Sequence, residues 1–143
     1  MASALDAGAY ILKHRGPMTA MKLQKLVYYS QAWSLVWDEA PLFADEIQAW
    51  ANGPVAPSLY REHRGKFKVS AGDIRGNAGR LSPDERETVD AVLRHYGGKS
   101  SQWLSNLTHA ERPWQEARRG IAPGARGRGI ISHSAMAEYY GGL

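Results

Sequence analysis

His109 and Glu111, with Trp114 three residues beyond, form the one polar cluster in this chain that reads as a general acid–base pair. A histidine near a carboxylate can accept a proton close to neutral pH. The same residues have a structural reading, which the sequence favours. Thr108 and Glu111 satisfy helix-end amides, while His109 and Trp114 pack a corner between helices. The other histidines, His14, His63, His95 and His133, lack metal-ligand spacing such as HExxH, so no metal is expected. Asp38, Glu39, Asp45 and Glu46 lack the spacing of a calcium loop and read as solvated acids or as a patch for a basic partner. The glycine- and arginine-rich run Gly124 to Gly129 has no strand before it and no Lys-Ser/Thr after it, which excludes a phosphate loop. The expectation is a protein that is not an enzyme, with no catalytic residue and no cofactor.

Charge is distributed unevenly along the chain. The net charge is +4, yet residues 38–46 carry acids and no base. Residues 61–80 hold Arg61, Arg64, Lys66, Lys68, Arg75 and Arg80 against Glu62 and Asp73, and residues 112–128 hold five arginines against Glu116. Two such stretches suit an acidic protein surface or a nucleic acid. Neither has the interleaved aromatics of a single-strand binder. Nucleic-acid binding through 61–80 and 112–128 is therefore the alternative function rather than the first.

These residues must be positioned by helices. Ser3 caps a first helix of about 4–14 along Leu5, Ala9 and Leu12, and Gly16-Pro17 stops it. Thr19 caps a second, of about 20–37, whose apolar residues spread around the axis beyond Tyr28. A helix apolar on most sides is buried on most sides, so this is the central one. Leu42-Phe43 docks on the core, and residues 46–50 alternate as a short strand. Asn52-Gly53-Pro54 turns the chain, and Pro57 opens a helix to about His63. Residues 65–80 read as a loop. Ser82, Pro83 and Glu85 then form a strong helix start, with Val89, Val92, Leu93 and Tyr96 inward. A further helix from about Ser100 uses Trp103, Leu104 and Leu107. Thr108 to Glu111 is another box-like start, and Ser132 caps a last helix. The predicted fold is mainly α: a compact multi-helix domain around the buried helix at about 20–37. At most a small β element is expected near 46–50, and residues 1–143 form one domain.

With 43% apolar residues, five Trp and seven Tyr, the chain can build a real core. No apolar run spans a membrane, no signal peptide opens the chain, and no cysteine is present. These features fit a cytoplasmic protein with no membrane partner. Gln24, Tyr28 and Gln31 make a polar stripe on the central helix, which must find partners inside, toward the Trp50–Val55 turn. Lys22, Lys25 and Tyr29 are expected to stay partly exposed as one wall of a partner groove.

The run Lys22-Leu23-Gln24-Lys25-Leu26-Val27-Tyr28-Tyr29-Ser30-Gln31-Ala32-Trp33 resembles the Panacea domain, the SocA-like antitoxin domain of phage-associated GepA-like proteins. Ile47 to Trp50, the run Gly53-Pro54-Val55-Ala56-Pro57 with Tyr60, Thr108-His109 and Pro113-Trp114 follow at matching spacing, so the likeness covers about 3–140. It implies an antitoxin that neutralises a cognate protein toxin, encoded beside it, by direct binding, with a link to phage defence. It defines no catalytic residues. Tyr29, Trp33, Arg61, Arg64 and Arg118, with Lys22 and Lys25, are the candidate partner contacts, since aromatic and arginine anchors dominate interfaces. Oligomeric state is not legible.

Overall fold

Seven α-helices and two pairs of very short strands make up the computed structural model, which describes all residues, Met1–Leu143. Helix α1 (Ala4–Arg15) opens with a reciprocal cap: the Ser3 hydroxyl accepts from the Asp6 amide at 3.1 Å, and the Asp6 carboxylate accepts from the Ser3 amide at 2.9 Å. Gly16, at φ 77°, ends it. Strand β1 (Met18–Thr19) leads directly into α2 (Ala20–Trp37), where the Thr19 hydroxyl accepts from the Lys22 amide at 3.1 Å.

Helices α1, α4, α5 and α7 all pack along α2. Leu23, Leu26, Val27, Tyr29 and Ala32 are fully buried, at the centre of a cluster of 30 buried apolar residues. Each large apolar side chain there contributes about 1.5–3 kcal/mol by leaving water. The chain then doubles back, and Leu42 and Phe43 are buried as expected.

Strands β2 (Gln48–Trp50) and β3 (Gly53–Val55) form an antiparallel hairpin in which Gln48 faces Val55 and Trp50 faces Gly53. The strand legible at 46–50 is shorter than its alternation suggests. Its partner contains Pro54, which cannot donate and sits where no ladder bond is required of it. Helix α3 (Pro57–His63) starts on proline. The 65–80 stretch is not all loop. Its Lys68–Val69 pair forms strand β4 against β1, drawn in by the fully buried Val69, and two single 3-10 turns follow.

Helix α4 (Pro83–Tyr96) carries the Ser82–Glu85 capping box, and α5 (Ser101–His109) is capped by Ser100. Two local expectations fail. Trp103 is 43% exposed and lies under the Lys99 ammonium instead of in the core. Thr108 lies in the last turn of α5 rather than opening a helix, and its hydroxyl donates back to the Ser105 carbonyl at 2.8 Å. Helix α6 (Arg112–Ala117) follows after a turn, and α7 (His133–Gly141) starts at Ser132 and returns along α2.

Gln31 fixes the return of the chain after α2. Its carbonyl accepts from the Leu42 amide at 2.7 Å, and its amide donates to the Phe43 carbonyl at 2.8 Å. Gln31→Leu orphans both backbone groups and is expected to cost about 1–3 kcal/mol in urea unfolding. An unchanged midpoint would show that the 42–43 segment is held by apolar packing alone.

Candidate functional site

The buried half-turn Gln24-Lys25 of α2 lies against the β2–β3 turn. Gln24 behaves as an internal splint: its carbonyl accepts from the Ala56 amide at 2.9 Å, and its NH2 approaches His63 Nε2 at 2.9 Å. Lys25 is only 1% exposed, and its ammonium donates to the Pro54 carbonyl at 3.2 Å. None of the ion pairs in the structure includes it. Burial pulls this ammonium down from 10.5 to about 7. Gly53 makes the close approach possible. It sits at φ 122°, and a Cβ there would stand 2.5 Å from Lys25 Cε.

Above Lys25 opens a cleft of about 390 Å³ between α2, the β2–β3 turn, the end of α3 and residues 124–126. The two basic stretches, remote in sequence, meet at its mouth through Lys66 and Arg126. Lys66 is paired with Asp73 at 2.7 Å. Arg126 makes no ion pair, and its guanidinium lies 4.9 Å from the Trp50 ring centre. Tyr60 meets the same indole edge-on at 4.8 Å. The lining contains no carboxylate.

A second polar cluster lies deeper. One oxygen of the buried Glu111 carboxylate accepts from the hydroxyls of Tyr29 and Tyr140, both at 2.7 Å, and Tyr28 joins Tyr140 at 3.0 Å. Burial raises the Glu111 carboxyl, against the opposing pull of the two tyrosine hydroxyls. His109 stacks on Trp114 at 4.1 Å, and burial lowers its imidazole. His109 and Glu111 thus engage different partners, and neither lines the cleft. Glu111 caps no amide, contrary to the sequence reading, although His109 and Trp114 do pack a corner. No three histidine or carboxylate side chains gather to hold a metal ion.

Residues 23–115 match the family described as Antitoxin SocA-like, Panacea domain. This chain belongs to that family. The match is narrower than the 3–140 span of the motif resemblance. No curated protein and no solved structure matches the chain.

Within this Panacea domain the sequence-nominated contact residues do not form one surface. Arg61 and Arg64 are exposed at the end of α3 and make no ion pair. Trp33 is half-buried, donates to the Tyr96 hydroxyl at 3.0 Å and stacks on the exposed Trp37. Lys22 is half-buried on another face, beside Arg15. Three nominations need correction on exposure. Lys25 and Tyr29 are not partly open: both side chains are buried, and Lys25 reaches the cleft only at its floor. Arg118 is 7% exposed and turned inward, donating to the carbonyls of Ala49, Ala122 and Ala125. It pins the glycine-rich segment onto β2 by joining carbonyls of both, and the Ala122 carbonyl accepts from the Ala125 amide as well.

Sequence reasoning missed the Glu111–tyrosine cluster and the meeting of Lys66 with Arg126. Glu111 reads in the sequence as a capping acid, which hides its turn toward the tyrosines. Nothing local announces the second.

Lys25 gives the Panacea domain a pH signature. Between about 7 and 10.5 the unfolded lysine holds a proton that the folded one has lost, so stability rises with pH across that window. Below it both forms are protonated, and the folded state carries the full cost of the buried cation. Lys25→Met is expected to abolish the rise, as read by urea unfolding at about pH 6.5 and about pH 9. Equal slopes in the two proteins would contradict the assignment.

Proposed function

We propose that this protein is an antitoxin that neutralises a protein toxin, encoded beside it, by direct contact rather than by catalysis. The observation that carries the reading is membership of the SocA-like antitoxin family over well more than half of the chain. The half-buried His109 stacks on Trp114 while two tyrosine hydroxyls hold the buried Glu111 carboxylate, so the two do not act as a pair, which is consistent with a binding protein.

The exposed basic edge supplies a surface for the partner. In the 61–80 stretch, Glu62 and Asp73 engage Arg75 and Lys66, which leaves Arg61, Arg64 and Lys68 free to meet acidic groups. Trp33, behind the exposed Trp37, offers an aromatic anchor on a second face, and Lys22 a charge on a third. A specific interface buries about 1,200–2,000 Å² in total, with a few aromatic or arginine residues carrying most of the energy. Arg61 and Arg64 are the contacts we favour. The inward-turned Lys25, Tyr29 and Arg118 act through the shape of the scaffold.

Co-expression with the product of the adjacent reading frame tests the proposal through host growth and co-purification. Wild type is expected to restore growth and to form a complex. The double variant Arg61→Glu/Arg64→Glu is expected to lose rescue while its thermal unfolding changes by no more than about 0.5 kcal/mol, because both side chains are exposed. Full rescue by that variant would remove the basic edge from the interface. A harmless neighbour that never co-purifies would overturn the antitoxin reading and favour the nucleic-acid alternative, whose mark is affinity falling steeply with salt.

A further inference from the structure

A buried ammonium ordinarily has a counter-ion and several acceptors, because an unpaired charge in a low-dielectric interior is costly. Lys25 has one carbonyl acceptor, at 3.2 Å, and no carboxylate partner, although acids are present elsewhere in the chain. It also lines an open cleft rather than a sealed core. The fold holds it there deliberately: Gly53, in the left-handed region, leaves room for its terminal methylene where any side chain would collide. At the mouth of the same cleft the Arg126 guanidinium is unpaired and lies over Trp50. Two basic side chains without a carboxylate partner therefore share one concave space that has no acid in its lining.

We propose that this cleft is an anion-binding site whose occupant carries a carboxylate or phosphate group, paired with Lys25 at the floor and Arg126 at the mouth. The apolar remainder of the occupant lies against Trp50 and Tyr60. Lys25 acts as a compact point charge, and Arg126 contributes the planar fork that suits a two-oxygen anion. A volume of about 390 Å³ accommodates a small ligand or one or two side chains of a partner, not a folded domain. The surrounding titratable groups favour an anion as well. Burial first, and the Lys25 charge second, lower the imidazole of His63 in the lining, and Lys66 at the rim is paired with Asp73. An entering anion would offset the Lys25 charge beside His63. The site does not depend on which toxin the protein meets, so its failure would leave the antitoxin reading standing.

Two probes of different chemistry test the site: N-acetylglutamate α-amide, with a single side-chain carboxylate, and adenosine monophosphate. Each is titrated into the full-length protein at low salt. The readouts are thermal unfolding and the NMR resonances of the Lys25 side-chain methylene next to nitrogen. At least one probe is expected to raise the melting temperature in a saturable way and to move the Lys25 titration to higher pH. Arg126→Ala, a change at an exposed side chain, is expected to weaken that response about tenfold, as for loss of a charge-assisted hydrogen bond. Lys25→Met is expected to fold and to lose the response. A response confined to the glutamate probe identifies an acidic side chain of a protein partner as the occupant. A response confined to the nucleotide identifies a phosphate ligand, and equal responses show that charge alone selects. If neither probe moves the Lys25 titration, or if Lys25→Met responds as strongly as wild type, the proposal is overturned.

Discussion

The burial of α2 over residues 23–32 is the constraint to which the rest of the structure answers. A helix surrounded by α1, α4, α5 and α7 has no water for its polar side chains, so each must be met by protein. Gln24 meets the backbone of Ala56, Gln31 meets that of Leu42 and Phe43, and Ser30 bonds back to the Leu26 carbonyl. Tyr28 and Tyr29 are met by Tyr140 and Glu111. These bonds convert irregular segments into fixed ones. The loop after α2 and the entry to α3 are held by glutamine side chains rather than by sheet or helix ladders. A helix with a polar outer face would not have needed them, and the loops would have needed other anchors.

Helix starts and the identity of the central helix were legible in the sequence because the forces that set them are local. Ser3, Thr19, Ser82, Ser100 and Ser132 all cap where their spacing to the following turn indicates. The exposed state of Arg61 and Arg64 was legible too, since α3 is short and ends in charge. What failed depends on segments far apart in the chain. Strand β4 exists only because β1 lies beside it, and Glu111 turned inward because two tyrosines from α2 and α7 arrive there. Arg118 looked like a surface arginine because its acceptors, Ala49, Ala122 and Ala125, lie on a strand and a loop whose proximity has no local signature. Lys25 looked accessible for a simpler reason. Lysine is rarely buried, and the sequence cannot show that Gly53 clears space for it.

The extent of the family match divides the molecule in a physically meaningful way. Residues 23–115 contain the polar stripe of α2, the hairpin and Glu111, which together are internal wiring. Arg126, Arg118 and Tyr140 lie outside that span, yet they complete the cleft, pin the glycine-rich segment and close the Glu111 cluster. A scaffold shared by a family can thus be finished by residues that its common pattern does not reach. In the function we propose, recognition of a partner is left to exposed groups such as Arg61 and Arg64, which this wiring does not use.

Lys25 and Glu111 sharpen that division. Both are buried ionisable groups of opposite sign, and Glu111 is bound to Tyr29, one helical turn from Lys25 on the same helix. No ion pair joins them. A direct pair would have neutralised both and closed the floor of the cleft with a carboxylate. Instead, two tyrosine hydroxyls occupy Glu111, while Lys25 is left with a single carbonyl. Core stability alone gives no reason for that arrangement, since an apolar side chain in place of Lys25 would remove the cost of its burial. With the acid engaged elsewhere, Lys25 has no counter-ion inside the fold, and burial instead draws its titration down to about 7, where an anion entering the cleft would hold the proton on.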